Sequence, residues 1–251
     1  EIGLQKAVEF YKSIISAEIK LMGSLKEAEA VKVVENAFRD INIAFVNELA
    51  MSFSKLGIDV VNVINGAATK PFAFMSHYPG CGVGGHCIPV DPYYLIDYAK
   101  KNGFSHDFLA LARRINNQMP KFAAELAIKG LNEAGIAAKG AKIAVLGLSY
   151  KPEIDDCRES PSFEIIKHLE EHGAKVVSYD PFVLDKSTAK TLDEAMKNAD
   201  AVILATCHKI FKELEPNYLL KNGVKVVIDG RNCLPKEKFV EAGIVYKGIG
   251  R

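Results

Sequence analysis

From Gly140 onward the chain alternates short apolar runs with helix-like stretches, and few architectures accept that rhythm. KIAVLGL (142–148) is a continuous apolar run of the kind a buried parallel strand shows. A helix is predicted at 161–172, closed by Gly173. Further strands are predicted at KVVSYD (175–180), AVILATC (201–207), KVVIDG (225–230) and Ile244–Tyr246. Helical stretches near 192–198, 209–221 and 235–242 separate them. Strands and helices at this spacing predict an α/β fold with a doubly wound parallel sheet. The turn after the first strand, GLSYKPEIDDCRES, lacks G-x-G-x-x-G, so the sheet is Rossmann-like without the usual pyrophosphate turn. A ligand of such a sheet lies at the carboxyl ends of its strands, where Lys151, Asp155, Asp156 and Arg158 fall. A solvated charge run is the plain alternative.

The preceding half reads as helical. Leu4, Ala7, Val8, Tyr11, Ile14 and Ile15 have helical spacing, which predicts a helix over 3–21. Lys26 to Leu56 contains neither proline nor glycine and stops at Gly57, a natural C-terminal cap. A helix of that length is about 45 Å long and commonly forms a domain spine or a subunit contact. Shorter helices are predicted at Asp59–Asn65 and Tyr93–Lys101. Asp107–Glu133 follows, with Pro120 marking a break or kink. On the long helix, Lys32, Asn36 and Asn47 share one face, and Lys32 and Asn36 are an i, i+4 pair. A cation and an amide so placed suit a developing oxyanion, whereas the bland alternative is a hydrated helix face.

Between the helices lies GCGVGGHCIPVDP (80–92). Glycine lets backbone approach a ligand closely, so the loop is suited to present Cys87 as a nucleophile. Asp91 follows four residues later and is placed to handle a proton or a water. The alternative is a glycine turn with a buried cysteine. Cys81, His86 and Cys87 suggest zinc only weakly, because no second ligand pair appears at the usual spacing. A Cys87–His86 dyad is disfavoured, since adjacent residues of an extended loop point in different directions.

The 251 residues suffice for one large or two ordinary domains. A net charge of +1 gives no field to recruit nucleic acid or an anionic membrane. No apolar run approaches membrane-spanning length, and no signal peptide opens the chain, so the cytoplasm is expected. The five cysteines are odd in number and scattered, which argues against a disulfide framework. The chain opens on a glutamate already within a helical pattern, which suggests a segment of a longer polypeptide.

Four motifs, AEAVKVVENAFRDINIAFVNE (28–48), GVGGHCIPVDPYYL (82–95), GLSYKPEIDDCRESP (147–161) and YDP with DGRN (179–181, 229–232), resemble the UDP-sugar 6-dehydrogenases. That group includes UDP-glucose and GDP-mannose dehydrogenases, and the likeness covers essentially the whole chain. The loop looks most like the branch oxidising UDP-N-acetylhexosamines. UDP-N-acetyl-D-mannosamine is favoured as substrate, ahead of UDP-N-acetyl-D-glucosamine and UDP-glucose. Val90 stands where UDP-glucose enzymes carry a lysine that helps hold the cofactor. The resemblance implies a helical central dimerisation domain (1–136) with the cysteine loop and a Rossmann-like UDP-binding domain (137–251). It also implies an N-terminal NAD-binding domain that is absent here, so the fragment itself is expected to be inactive. It assigns Cys87 as thiohemiacetal and thioester nucleophile, Lys32 and Asn36 as oxyanion donors, and Asp91 as assistant to water or alkoxide. Gly82, Val83, Gly84, Gly85, Lys151 and Arg231 are implied substrate contacts, and Arg158 a cofactor contact. Partners implied are a UDP-sugar and a second copy through the helix at 26–56. A nucleotide-sugar-binding or dimerisation module without chemistry is the non-enzyme alternative.

Overall fold

A computed structural model describes residues 2–251, so Glu1, the first residue of the expected helical domain, lies outside the described residues. The chain forms two compact units, one up to Glu35 and one from Asn36 to Arg251.

In the first unit, helix α1 spans Ile2–Lys12. The expected helix over 3–21 therefore ends early. The Ser13 hydroxyl donates to the Phe10 carbonyl at 2.6 Å, competing with helix continuation. Helix α2 (Leu25–Leu56) contains the unit boundary and matches the predicted run closely.

Helices α3 (Val60–Ala67), α4 (Cys87–Lys101) and α5 (Asp107–Glu133) follow in the second unit. Asp59 caps α3 by accepting from Val61 and Asn62 N–H. Helix α4 begins six residues before the predicted start, so Cys87 opens a helix rather than ending a loop. Pro89 sits in its first turn, where backbone N–H groups have no helical partner to lose. Helix α5 runs through Pro120 as one element, so of the expected break or kink there is no break. Proline offers no N–H to the Asn116 carbonyl, and Gly82 of the cysteine loop packs against that oxygen instead.

The remainder alternates as predicted. Strands β1 (Lys142–Leu146), β2 (Lys175–Tyr179), β3 (Ala201–Leu204), β4 (Val226–Asp229) and β5 (Val245–Gly248) form one parallel sheet in the order β2-β1-β3-β4-β5. Helices α6 (Pro161–Glu171), α7 (Leu192–Met196), α8 (Lys209–Lys212), α9 (Pro216–Lys221) and α10 (Lys236–Glu241) connect them. The helix predicted over 209–221 is split, because Pro216 starts a new one. Alternate strand residues serve opposite faces. Ile143, Val145, Ile203 and Ile228 meet Ala123, Ala127 and Leu131 of α5 and Ile165 and Leu169 of α6. Leu146, Val202 and Val227 meet Met196, Phe211, Leu219 and Phe239 on the other face. Phe211 and Phe239 are fully buried, each worth about 1.5–3 kcal/mol relative to exposure.

The cysteine expectation needs correction. Strands β3 and β4 are neighbours, so the loops leaving them converge, and Cys207 and Cys233 form a disulfide with Cα atoms 6.7 Å apart. Cys81, Cys87 and Cys157 are free. Among the described residues no helix is long and apolar enough to cross a membrane.

Candidate active site

The cysteine loop is fixed by contacts from four directions. Gly80 N–H donates to Asn47 of α2 at 3.0 Å. Gly85 N–H donates to the Arg158 carbonyl at 2.9 Å. A Cβ on Gly84 would stand 2.7 Å from Tyr150 Cβ and 2.8 Å from the Glu159 carbonyl, so only glycine fits this approach. A Cβ on Gly80 would run into the Arg231 guanidinium.

Cys87 emerges from this loop at the first position of α4 and is exposed. Asp91 lies one helical turn further along the same face. Asn36, 1% exposed, donates its amide to Asp91 Oδ2 at 2.6 Å. The thiol, the carboxylate and the amide predicted from sequence are thus assembled from α2 and α4. Lys32 belongs to the other unit, where its exposed ammonium meets Glu35 at 2.9 Å. Cys81 is the inert sulfur of the loop. Burial, reinforced by Asp229 and opposed by Arg231, pushes its thiol up to about 12. Cys157 is buried and accepts a hydrogen bond from the Lys186 ammonium at 3.1 Å.

Arg158 is 65% exposed and pairs with Asp156 at 2.6 Å. Asp156 is the main cause holding the proton on its guanidinium, and Tyr150 and Cys87 lie within its electrostatic range. Lys151 is exposed on the loop after β1, and Arg231 on the loop after β4. Lys151 and Arg158 therefore stand at the carboxyl ends of the strands, as expected, and Arg231 joins them there. A cleft of about 500 Å³ opens between the loop at Gly82 and Val83, α4 at Val90 and Tyr93, and the start of α6 at Ser160.

Lys32 stands in solvent, but from Asn36 onward the polar stripe on α2 is not a hydrated face. Asn36, Asp40 and Asn47 are all at least 99% buried. Asn47 donates to Asn116 at 2.9 Å, Asn116 donates to Asp40 at 2.8 Å, and Arg113 pairs with Asp40 at 2.5 Å. Arg113 also donates to Asn117 at 2.6 Å, and Asn117 to the Tyr93 hydroxyl at 3.3 Å. This chain links Gly80, before the cysteine, to Tyr93, after it. Burial pushes the Asp40 carboxyl up, with Arg113 and Asn116 opposing. Sequence reasoning missed Asp40, Arg113 and Asn116, whose only signal is helical spacing toward a common side.

A second buried polar cluster sits after β1, β2 and β3 and contains Ser149, Asp180 and His208. Burial works against ionisation of Asp180. Hydrogen bonds from His208 and from the N–H groups of Ser149 and Phe182 outweigh it and hold the carboxyl at about 2. The folded value lies below the usual unfolded one of about 3.9, so the resulting stability is full above about pH 4 and is lost as pH falls toward 2. It amounts to about 2 kcal/mol. Denaturant titrations at pH 5 and near pH 2 are expected to show that loss in the parent chain and a smaller one in Asp180→Asn. Equal slopes in both would refute the assignment.

The model of the UDP-glucose/GDP-mannose dehydrogenase family central domain matches residues 26–118, and that of its UDP-binding domain matches residues 144–236. The chain belongs to the UDP-glucose/GDP-mannose dehydrogenase family. Members of this family are NAD-dependent oxidoreductases acting on nucleotide sugars. The chain is 40% identical over 246 residues to a UDP-N-acetyl-D-mannosamine dehydrogenase of Pyrococcus horikoshii, covering 98% of this chain and 56% of that protein. A solved UDP-D-ManNAc dehydrogenase from the same organism superimposes with a TM-score of 0.89 at 39% identity, over 98% of this chain and 57% of the other. A UDP-N-acetyl-D-glucosamine 6-dehydrogenase of Salmonella typhi is 36% identical over 238 residues, covering 92% of this chain and 56% of that protein. The chain thus spans little more than half the length of these dehydrogenase relatives. The two matched family domains hold the cysteine loop and the loop after β1, respectively.

Proposed function

We propose that this chain is the thiol-bearing and nucleotide-sugar-binding part of a UDP-N-acetyl-D-mannosamine dehydrogenase, which oxidises the sugar C6 alcohol to a carboxylate. The observation that carries this reading is the exposed Cys87 on one helix face with Asp91, itself held by Asn36. An aldehyde is a poor hydride donor until a nucleophile makes its carbon tetrahedral, and Cys87 supplies that nucleophile. Its sulfur holds the half-oxidised carbon as a thiohemiacetal and then as a thioester, which water opens to the acid. Asp91 orients the water or alkoxide, and Asn36 with Lys32 donates to the oxyanion. Two molecules of NAD⁺, bound in turn, would each accept one hydride.

The residues present fit the edge of such a cofactor. Arg158 keeps an exposed guanidinium within electrostatic range of Cys87. The rest of the cofactor site belongs, on this reading, to the portion of the relatives that this chain does not span. Residues 1–136 serve as the helical part with the cysteine loop, and 137–251 as the UDP-binding part. Lys151, Arg231 and the backbone of Gly82, Val83, Gly84 and Gly85 hold the UDP-sugar. The compartment is the cytoplasm.

Calorimetric titration with UDP-ManNAc, UDP-GlcNAc and UDP-glucose tests the reading. Tightest binding of UDP-ManNAc is expected. A preference for UDP-glucose would move the substrate, and no binding of any would remove the nucleotide-sugar assignment.

A homodimer through α2 completes the proposal. Val31, Val34, Phe38 and Phe45 are exposed at helical spacing along it, the pattern of a helix with an uncovered apolar stripe. Sedimentation is expected to give twice the chain mass. A strict monomer at high concentration would remove the dimer.

A further inference from the structure

We propose that His208 is a positioning residue for the nucleotide-sugar site: through its Nδ1 it fixes the turn at 147–153 that presents Lys151. The assignment rests on the reading of Lys151 given above. The sheet order changes direction between β1 and β3, and ligands of open α/β sheets bind at that crevice. The loop after β1 carries Tyr150 and Lys151, and the one after β3 carries His208.

His208 is fully buried, stacked on Phe182 with ring centroids 4.9 Å apart and met edge-on by Phe211 at 5.4 Å. Its Nδ1 lies 3.0 Å from the Glu153 N–H, which can only donate, so Nδ1 accepts. The proton therefore sits on Nε2, which faces Asp180 Oδ2 at 3.0 Å and Ser149 Oγ at 3.1 Å. The Ser149 hydroxyl in turn donates to the Lys151 carbonyl at 3.1 Å. Because both Asp180 and Ser149 address the same ring nitrogen, the three do not form a proton-relay triad, which needs both nitrogens. They form a clamp instead.

The clamp grips both ends of the turn. At its start, Asp180 accepts the N–H groups of Leu148 at 2.7 Å and Ser149 at 2.8 Å. At its end, His208 takes the N–H of Glu153, a non-glycine residue at φ +63°. A left-handed backbone at such a residue persists only where neighbours over-determine it. Glu153 has two such ties, since its carboxylate also accepts the Lys209 N–H at 2.8 Å. Between the two grips stand Lys151, exposed, and Tyr150, whose ring packs on Gly85 of the cysteine loop. A loosened turn would thus move both the cation offered to the ligand and a wall of the loop that carries Cys87.

Two near-isosteric substitutions separate this role from simple packing. His208→Asn keeps an acceptor where Nδ1 lies, and His208→Gln keeps a donor where Nε2 lies but leaves the Glu153 N–H unserved. Both lose the ring stack, so both are expected to melt lower than the parent. Amide exchange at Glu153 is expected to stay slow in His208→Asn and to quicken about tenfold in His208→Gln, with UDP affinity falling about tenfold in the latter alone. UDP weakened equally in both variants, or unweakened in His208→Gln while the parent binds, would overturn the role of His208 alone. No UDP binding by the parent would overturn the nucleotide reading and this role with it. Nitrogen NMR of the unsubstituted chain is a second test that needs no variant: Nδ1 is expected unprotonated at neutral pH, and a protonated Nδ1 would overturn the proposal.

Discussion

Replacing Cys87 with serine in the full-length enzyme is expected to leave one hydride transfer per site and to stop the second. Steady-state NADH formation should fall by about 10³-fold or more. A serine hydroxyl at the start of α4 occupies nearly the same volume, so folding and nucleotide binding should be preserved. What is lost is the sulfur's nucleophilicity, because an unactivated hydroxyl is a weak nucleophile at neutral pH. The hydrogen bonds of the buried polar chain run from Asn47 through Asn116 and Asp40 to Arg113, and they supply no base to a serine at position 87. Rapid-mixing measurements that count NADH per site decide the matter. Two equivalents released at the parental rate would show that Cys87 is not the nucleophile.

The largest effect on stability is expected at Gly147→Ala. Gly147 leaves β1 with φ +91°, a conformation that L side chains rarely adopt. A Cβ built there would stand 2.7 Å from the Thr206 backbone nitrogen and 2.5 Å from its Cβ. Thr206 has little room to retreat, since its hydroxyl donates to the Ser149 carbonyl at 2.5 Å. Overpacking and backbone strain together should cost about 3 kcal/mol or more. Denaturant midpoints measure it, and a loss below about 1 kcal/mol would mean that the β1 and β3 loops yield more easily than their hydrogen bonds indicate.

Much of this was legible in the sequence for physical reasons. Strands buried on both faces read as unbroken apolar runs, and β1, β3 and β4 are buried almost throughout. The cysteine loop announces itself because its glycines are required by close neighbours such as Tyr150 and Pro161. What stayed hidden depends on contacts distant along the chain. Asp40 and Arg113 are 73 residues apart, and a charge on a helix reads as solvated until its partner is seen. Cys207 and Cys233 become partners only once β3 and β4 lie side by side. The start of α4 was missed because glycines and prolines crowd around Cys87, although a proline in a first turn interrupts no bond.

Helix α5 is the shared roof of two regions that the chemistry treats as different. With α6 it shelters Ile143, Ile203 and Ile228, while at its other end it anchors Asp40 and the base of the cysteine loop. A cut of the chain near residue 136 would strip that cover from the sheet and leave wide apolar surfaces on both pieces. Such halves belong in inclusion bodies rather than in a crystallisation drop. The shortest portable piece that keeps the sheet covered must begin upstream of Asp107.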